Sequence, residues 1–99
     1  MLNVTKTVEN GQGTISLEGR LDTMSAPELE QIVRDTIPGL TALTLDFEKL
    51  DYISSAGLRV LLSAQKQMNH QGSMTLTNVN PAILEIFEVT GFTDILTIA

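Results

Sequence analysis

The sequence predicts an α/β fold, namely a single domain over residues 1–99 in which a mixed sheet of four to five strands has helices packed mainly against one face. Segments of alternating apolar and polar residues, typical of half-buried strands, are interspersed with segments whose apolar residues recur at helical spacing. The 99 residues suffice for one hydrophobic core. Hydrophobic residues make up 42% of the chain and aromatic residues only 4%, so Leu, Ile and Val must form most of that core.

The first predicted element is a hairpin. Residues 2–4 and 14–18 alternate apolar with polar side chains, and the Gly-rich sequence at 10–13 between them is typical of a turn. A loop over residues 19–24 is expected to follow.

The first helix is predicted to begin at Ser25. Ser25 and Glu28 are spaced as in a capping box, and Pro27 falls in the first turn, where its missing N–H costs nothing. The helix should end at residues 38–39, a Pro-Gly pair. Its apolar positions recur at helical spacing: Leu29, Ile32, Val33 and Ile37.

A strand, a helix and a strand are predicted next. Residues 43–47 alternate and should continue past Lys49 to a turn at Ser54 and Ser55, after which the second helix runs to about residue 69. Residues 74–77 form the next predicted strand. Because a helical crossover joins them, these two strands should be parallel.

The third helix is predicted to start at Asn80, an N-cap residue followed by Pro81, and to end at Gly91. Residues 95–98 are candidates for a further strand at the sheet edge.

Composition excludes several classes of function. A formal net charge of -6 argues against a nucleic-acid partner, which normally requires a basic surface. With no cysteine and a single histidine we expect no metal site and no cofactor. Residues 1–11 do not resemble a signal peptide, and no apolar run approaches the roughly 18 residues that span a bilayer. We therefore expect a cytoplasmic protein without a membrane partner.

The turn at Ser54 and Ser55 is the candidate functional site. The first N–H groups of a helix lack partners within the helix and attract anions. Here the first turn, taken as residues 56–58, contains no acid, and the cation Arg59 follows it. A serine at this position can cap the helix, which is its commoner role, or accept a phosphoryl group.

Residues 50–62, Leu-Asp-Tyr-Ile-Ser-Ser-Ala-Gly-Leu-Arg-Val-Leu-Leu, resemble the phosphorylation segment of the bacterial anti-sigma factor antagonists, the STAS domain family. Residues 19–22, Gly-Arg-Leu-Asp, resemble the family's Gly-x-Leu-Asp element, and residues 80–92 resemble its C-terminal helix and turn. The resemblance covers nearly the whole chain and implies a STAS-like domain with the arrangement described above.

The family commonly has Asp-Ser-Ser/Thr-Gly, in which the first serine accepts the phosphate. Counting back from Gly57, the acceptor corresponds to Ser55, the family's Asp to Ser54, and its second hydroxyl to Ala56. Two of the four positions therefore depart from the pattern. Ser55 is the predicted phosphorylation site, and Ser54 is the alternative.

The resemblance implies an anti-sigma factor antagonist that is not an enzyme. Its unphosphorylated form would bind an anti-sigma factor serine kinase and release the sigma factor, phosphorylation would prevent binding, and a PP2C-type phosphatase would reverse it. The alternative is an unphosphorylated STAS scaffold in a signalling or transport complex. The predicted partner-binding residues are Asp22, Thr23, Met24, Tyr52, Ile53, Ser54, Ser55, Ala56, Gly57, Leu58 and Arg59.

Two of these residues have a structural alternative. Asp22 could contact a basic group of a partner or fix its own loop through backbone N–H groups. Met24 could serve an interface or form a hydrophobic staple at the start of the first helix.

A serine hydrolase is the enzyme class to weigh. The Gly-x-Ser-x-Gly elbow is absent, and His70, 15 residues beyond Ser55, would lie about 22 Å away along a helix. Residues 63–66 match Ser-x-x-Lys, but the companion motifs of those acylating enzymes are missing. These observations argue against catalysis.

Overall fold

The computed structural model describes residues 2–99 and contains four strands, three α-helices and a short 3-10 helix. In chain order the elements are β1 (Leu2–Glu9), β2 (Gln12–Leu21), α1 (Ala26–Thr36), β3 (Ala42–Ile53), α2 (Ser55–Asn69), β4 (Ser73–Thr77), α3 (Pro81–Thr90) and the 3-10 helix (Phe92–Asp94).

The strands form one mixed sheet in the order β1-β2-β3-β4. β1 and β2 are antiparallel, whereas β2, β3 and β4 are parallel to one another. The predicted hairpin is confirmed, and its turn consists of Asn10 and Gly11, with φ of 53° and 78° as in the turns that join twisted strands. The parallel pairing predicted for the strands around α2 is also confirmed.

One face of the sheet carries the core. Alternate residues of the central strands are buried, while the intervening residues such as Ser16, Thr44 and Asp46 remain partly exposed. The buried strand residues form one cluster with the apolar faces of all three helices. Phe87 of α3, for example, meets Phe47 of β3 edge to face at 6.2 Å between ring centroids. The predicted packing of helices on one face is therefore confirmed.

The start of α1 differs from the prediction, and the capping box of Ser25 and Glu28 is wrong. Ser25 already has helical backbone angles (φ -95°, ψ -17°) and makes no side-chain cap bond. A capping side chain normally leaves from an extended residue, which is the geometry that aims it at the free N–H groups. The Ser25 hydroxyl instead accepts from the Asp22 N–H (2.9 Å) and donates to the Arg20 carbonyl (2.8 Å).

The predicted ends of α3 are confirmed. The Asn80 Oδ1 accepts from the Ile83 N–H (2.9 Å), Pro81 opens the helix, and Gly91 ends it with φ of 80°. The Asn80 Nδ2 also donates to the Leu50 carbonyl (2.9 Å), so this cap fastens α3 to β3. Within residues 2–99, no helix combines the length and apolar character needed to cross a membrane.

The C-terminal segment forms only part of the predicted edge strand. Ile98 makes a single parallel bridge to Leu76 of β4, through hydrogen bonds from Leu76 N–H to Thr97 (2.9 Å) and from Ala99 N–H to Leu76 (2.9 Å). The 3-10 helix uses the preceding residues, so the sheet has four strands and a one-residue extension.

Candidate functional site

The site lies where two parallel strands end side by side. Leu21 at the end of β2 is paired with Ile53 at the end of β3, and the Ser54 N–H donates to the Leu21 carbonyl (2.8 Å). Two register shifts in this pairing, with Gly19 at φ 102°, bring the strand ends level. The segment beginning at Asp22 and the turn into α2 therefore leave the sheet beside each other.

Ser54 is the N-cap of α2. Its backbone is extended (φ -97°, ψ 174°), and its Oγ accepts from the Gly57 N–H at 3.3 Å. The Ser54 carbonyl accepts the first helical hydrogen bond from the Leu58 N–H (3.0 Å). The side chain is half-buried. Its hydroxyl is thus engaged in starting the helix.

Ser55 is the first residue of α2 and is exposed. Its hydroxyl has no hydrogen-bond partner among residues 2–99, and the first turn of the helix contains no acidic residue. An added anion at Ser55 would lie beside the free N–H groups and the positive end of the helix dipole without a neighbouring carboxylate on that turn.

Gly57 sets the distance between α2 and the strand ends. A Cβ atom at this position would lie 2.7 Å from the Leu21 Cγ and 2.9 Å from the Ile53 Cγ1. These separations are shorter than van der Waals contact, so the helix can approach the sheet this closely only with glycine here. Gly57 therefore holds the serine turn directly over the ends of β2 and β3.

Asp22 fixes the segment between β2 and α1. Its Oδ1 accepts from the backbone N–H groups of Met24 and Ser25, each at 3.0 Å. The backbone hydrogen bond from Ser25 is the main cause that lowers the pKa of the Asp22 carboxyl. One oxygen of Asp22 therefore fixes its own loop through backbone N–H groups.

The other Asp22 oxygen lies near Arg20, which packs on Tyr52, and the sequence patterns did not reveal this pair. The Arg20 Nε lies 3.9 Å from the Asp22 Oδ2, and the Arg20 guanidinium lies 4.2 Å from the centre of the Tyr52 ring. Arg20 and Tyr52 are partners across β2 and β3. The parallel register, had it been known, would have identified this pair.

Met24 is the most exposed large apolar side chain in the described part of the chain, at 88%. A hydrophobic staple requires this side chain to pack against the helix. The staple interpretation of Met24 is therefore wrong. Beside it runs a shallow groove between the starts of α1 and α2, which is lined by Thr23, Ala26, Pro27, Glu30, Ala56, Arg59 and Val60.

The predicted partner-binding residues divide by depth. The exposed members are Thr23, Met24, Tyr52, Ser55 and Arg59, and the half-buried members are Asp22, Ser54 and Ala56. Ile53, Gly57 and Leu58 are buried beneath them. The buried three position the turn, and the others form its surface.

The geometry also bears on the hydrolase interpretation. Ser55 is the first residue of α2 and His70 is its C-cap, so the helix separates them by its full length. A general base must lie within hydrogen-bond reach of its nucleophile. His70 is far beyond that reach of Ser55.

Comparison with known proteins gives concordant results. The family model described as "Mlab, STAS domain" matches residues 4–97. The chain is 39% identical over 85 residues to BtrV of Bordetella bronchiseptica, which is named as an anti-sigma factor antagonist; the match covers 84% of this chain and 73% of BtrV.

Two solved structures share the fold. A crystal structure of an anti-sigma factor antagonist from Mycobacterium paratuberculosis has a TM-score of 0.90 and 20% identity, over 99% of this chain and 85% of that chain. The Bacillus cell fate determinant SpoIIAA in its phosphorylated form has a TM-score of 0.76 and 20% identity, over 100% of this chain and 91% of that chain.

Proposed function

Because the chain belongs to the STAS domain family of bacterial anti-sigma factor antagonists, as its sequence predicted, we propose that it is a phosphorylation-controlled antagonist in the cytoplasm. The unphosphorylated form binds an anti-sigma factor serine kinase, which then releases its sigma factor. Phosphorylation of Ser55 by that kinase ends binding, and a PP2C-type phosphatase restores it. The protein is a substrate and a binding partner, and the kinase supplies the catalysis.

The exposed hydroxyl of Ser55 is the observation that carries this proposal. It lies on the first turn of α2, unbonded to the rest of the described chain and accessible to a kinase. The kinase would transfer the γ-phosphoryl group of ATP to Oγ, with ADP leaving and the hydroxyl proton passing to a base of the kinase. The phosphoserine is compatible with this fold because the N-terminus of a helix stabilises negative charge.

Ser54 is a poorer acceptor because its hydroxyl is bonded to Gly57. Its position corresponds to the Asp of the family pattern, and Asp and Ser are both favoured N-caps. The departure at Ser54 therefore preserves the helix cap. This supports the assignment of Ser55, rather than Ser54, as the phosphorylated residue.

The surface around Ser55 suits a protein partner. Met24 offers an exposed apolar side chain on the neighbouring loop, and Tyr52 is 39% exposed near the end of β3. Aromatic residues and Met are enriched in protein interfaces. A phosphoryl group at the centre of such a surface adds a charge of about -1.5 to -2, which opposes docking unless the partner presents a cation.

The first test is to incubate the protein with ATP, Mg²⁺ and an anti-sigma factor serine kinase from the same cell, followed by intact-mass and fragment analysis. We expect one added phosphate on Ser55. Ser55→Ala should abolish the mass increase, whereas the neighbouring control Ser54→Ala should retain it with a helix less stable by about 1 kcal/mol. If Ser54→Ala gained no phosphate while Ser55→Ala still did, the phosphorylated residue would be Ser54.

The binding test separates the switch from the scaffold alternative. Ser55→Ala should bind the kinase as tightly as the unmodified protein, and Ser55→Asp should bind at least tenfold more weakly because it places a charge at the interface. Equal affinities for both variants, together with a kinase that binds but adds no phosphate, would support an unphosphorylated STAS scaffold instead.

A further inference from the structure

Arg59 lies one helical turn beyond Ser55 on the same face of α2. Both residues are exposed, and they are four positions apart in the helix. Each residue advances about 100° around the helix axis, so the two differ by about 40° in direction, and Cβ atoms at this spacing lie about 5–6 Å apart. The two side chains are therefore neighbours on the helix surface.

The geometry of the helix directs the Arg59 side chain toward Ser55. Long side chains in a helix point back toward its N-terminus and cover the preceding turn. For Arg59 the preceding turn is the one that begins at Ser55. Arg59 also lines the groove between the starts of α1 and α2, which is the end of α2 that carries Ser55.

Arg59 has no carboxylate partner in the described part of the chain. The two ion pairs there join Arg20 to Asp22 and Arg34 to Glu30. Glu30 lines the same groove as Arg59, but its carboxylate lies 3.3 Å from the Arg34 guanidinium. α2 itself contains no acidic residue. Because the dipole disfavours a cation near the start of a helix, it does not account for the position of Arg59 either.

We propose that Arg59 is the positioning residue for the phosphate and forms an ion pair within α2 with phosphorylated Ser55. The inference rests on the proposed function and deepens it by naming the residue that holds the phosphoryl group. A guanidinium can donate two parallel N–H bonds to two phosphate oxygens. An anion four residues before a cation is the favourable orientation of such a pair. Ser54 is the extended N-cap outside the helix, so the pair is specific for Ser55.

The pair should favour the doubly ionised phosphate and the folded state together. Phosphoserine has a second pKa of about 6, and its charge at pH 7 is about -1.5 to -2. A guanidinium beside the phosphate stabilises the dianion and lowers that pKa. The modification then adds a charge of about -2 throughout the neutral pH range. Because the pair requires the folded helix, phosphorylation should also raise the stability of the protein.

The other charged groups near this end of α2 are already engaged. Asp22 accepts two backbone N–H bonds with one oxygen, and its other oxygen lies 3.9 Å from Arg20. Its pKa is lowered by the Ser25 N–H, so it stays ionised while the phosphate titrates. Glu30 is paired with Arg34 on α1. The single histidine is the C-cap at the opposite end of α2, so its titration is remote from Ser55.

The test uses the full chain with phosphoserine encoded at position 55 during synthesis, so that no kinase is needed. A ³¹P NMR titration measures the second pKa of the phosphate. Arg59→Gln should raise this pKa by about 0.5, whereas Arg59→Lys should raise it less, because Lys keeps the charge but not the paired N–H donors. The matched control is Lys66→Gln, which removes a cation about 16 Å along the helix from Ser55, beyond the screening length of about 10 Å, and should leave the pKa unchanged.

Thermal unfolding gives an independent measurement of the same pair. Phosphorylation should raise the thermal midpoint by about 2–4 °C in the parent sequence and in Lys66→Gln, and most of this rise should disappear in Arg59→Gln. Each variant is compared with its own unphosphorylated form. Any effect of Arg59→Gln on the unphosphorylated fold therefore cancels.

The outcomes separate the inference from the proposed function. If the pKa of the phosphate and its effect on the midpoint are the same in Arg59→Gln as in the parent sequence, the ion pair does not form and the proposed function stands. Equal effects of Arg59→Gln and Lys66→Gln would also overturn the pair, because they would reflect only the net charge of the helix. If the encoded phosphoserine pairs with Arg59 but the kinase adds no phosphate to Ser55, the pair stands and the proposed function fails.

Discussion

The two adjacent serines have different roles because they occupy different positions at the start of α2. Ser54 is extended and turns its hydroxyl back to the Gly57 N–H, whereas Ser55 already belongs to the helix and faces solvent. A difference of one residue therefore separates a capping hydroxyl from a free one.

Asp22 should contribute stability that depends on pH. Its carboxyl has a lowered pKa because the Ser25 N–H and its neighbours stabilise the ionised form. The folded state thus binds a proton less readily than the unfolded state, so this contribution is present above the ordinary Asp pKa and is lost as the pH falls through the lowered value. Urea unfolding should show that Asp22→Asn is less stable than the unmodified protein at pH 7, and that the gap closes towards pH 3.

Asp94→Asn is the matched control for Asp22→Asn, since Asp94 is exposed in the short 3-10 helix. Its stability gap should be small at both pH values. A gap for Asp22→Asn that stays constant from pH 7 to pH 3 would show that the carboxylate charge does not stabilise this loop.

At the scale of the element, α2 depends on close contact with the ends of β2 and β3. Gly57→Ala would place a methyl group 2.7 Å from Leu21, and we expect the protein to lose about 1–3 kcal/mol, although Ala favours a helix by about 1 kcal/mol relative to Gly. Thermal unfolding followed by circular dichroism should show a midpoint lower by several degrees.

Ser63→Ala controls for helix propensity, because Ser63 is exposed on the same helix and should tolerate Ala without loss. If Gly57→Ala also left the midpoint undiminished, the close approach of α2 to the strand ends would not be a constraint.

At the scale of the whole molecule, a single core connects the sheet to all three helices. Phe87 is fully buried and contacts Phe47, so Phe87→Ala should cost about 3–5 kcal/mol. Val89, two residues along the same helix, is 81% exposed, and Val89→Ala should change stability by less than about 0.5 kcal/mol.

Because the core is shared, the loss in Phe87→Ala should appear in one cooperative transition. Unfolding followed by circular dichroism and by the fluorescence of the single tyrosine, Tyr52, should coincide. Separate transitions would mean that α3 unfolds independently of the sheet.

Local sequence signals predicted the elements that are built from local contacts. Asn10 and Gly11 gave the hairpin turn, and Asn80, Pro81 and Gly91 gave both ends of α3, since turns and caps are decided by a few neighbouring residues. The capping box predicted from Ser25 and Glu28 does not form, because the Ser25 hydroxyl is bonded to the Asp22 N–H and the Arg20 carbonyl instead. The segment 95–98 pairs with β4 only at Ile98, because Ile95 still belongs to the end of the 3-10 helix.

The sequence by itself determined the fold class, the family and the serine turn, because periodicity, capping residues and the motif around Gly57 are all properties of neighbours along the chain. Only the tertiary structure decided which serine caps α2 and which is exposed, and that Arg20, Asp22 and Tyr52 meet beside them. It also separated the buried residues of the motif from those a partner can touch. These properties depend on the register of parallel strands joined through distant parts of the chain, which no local pattern specifies.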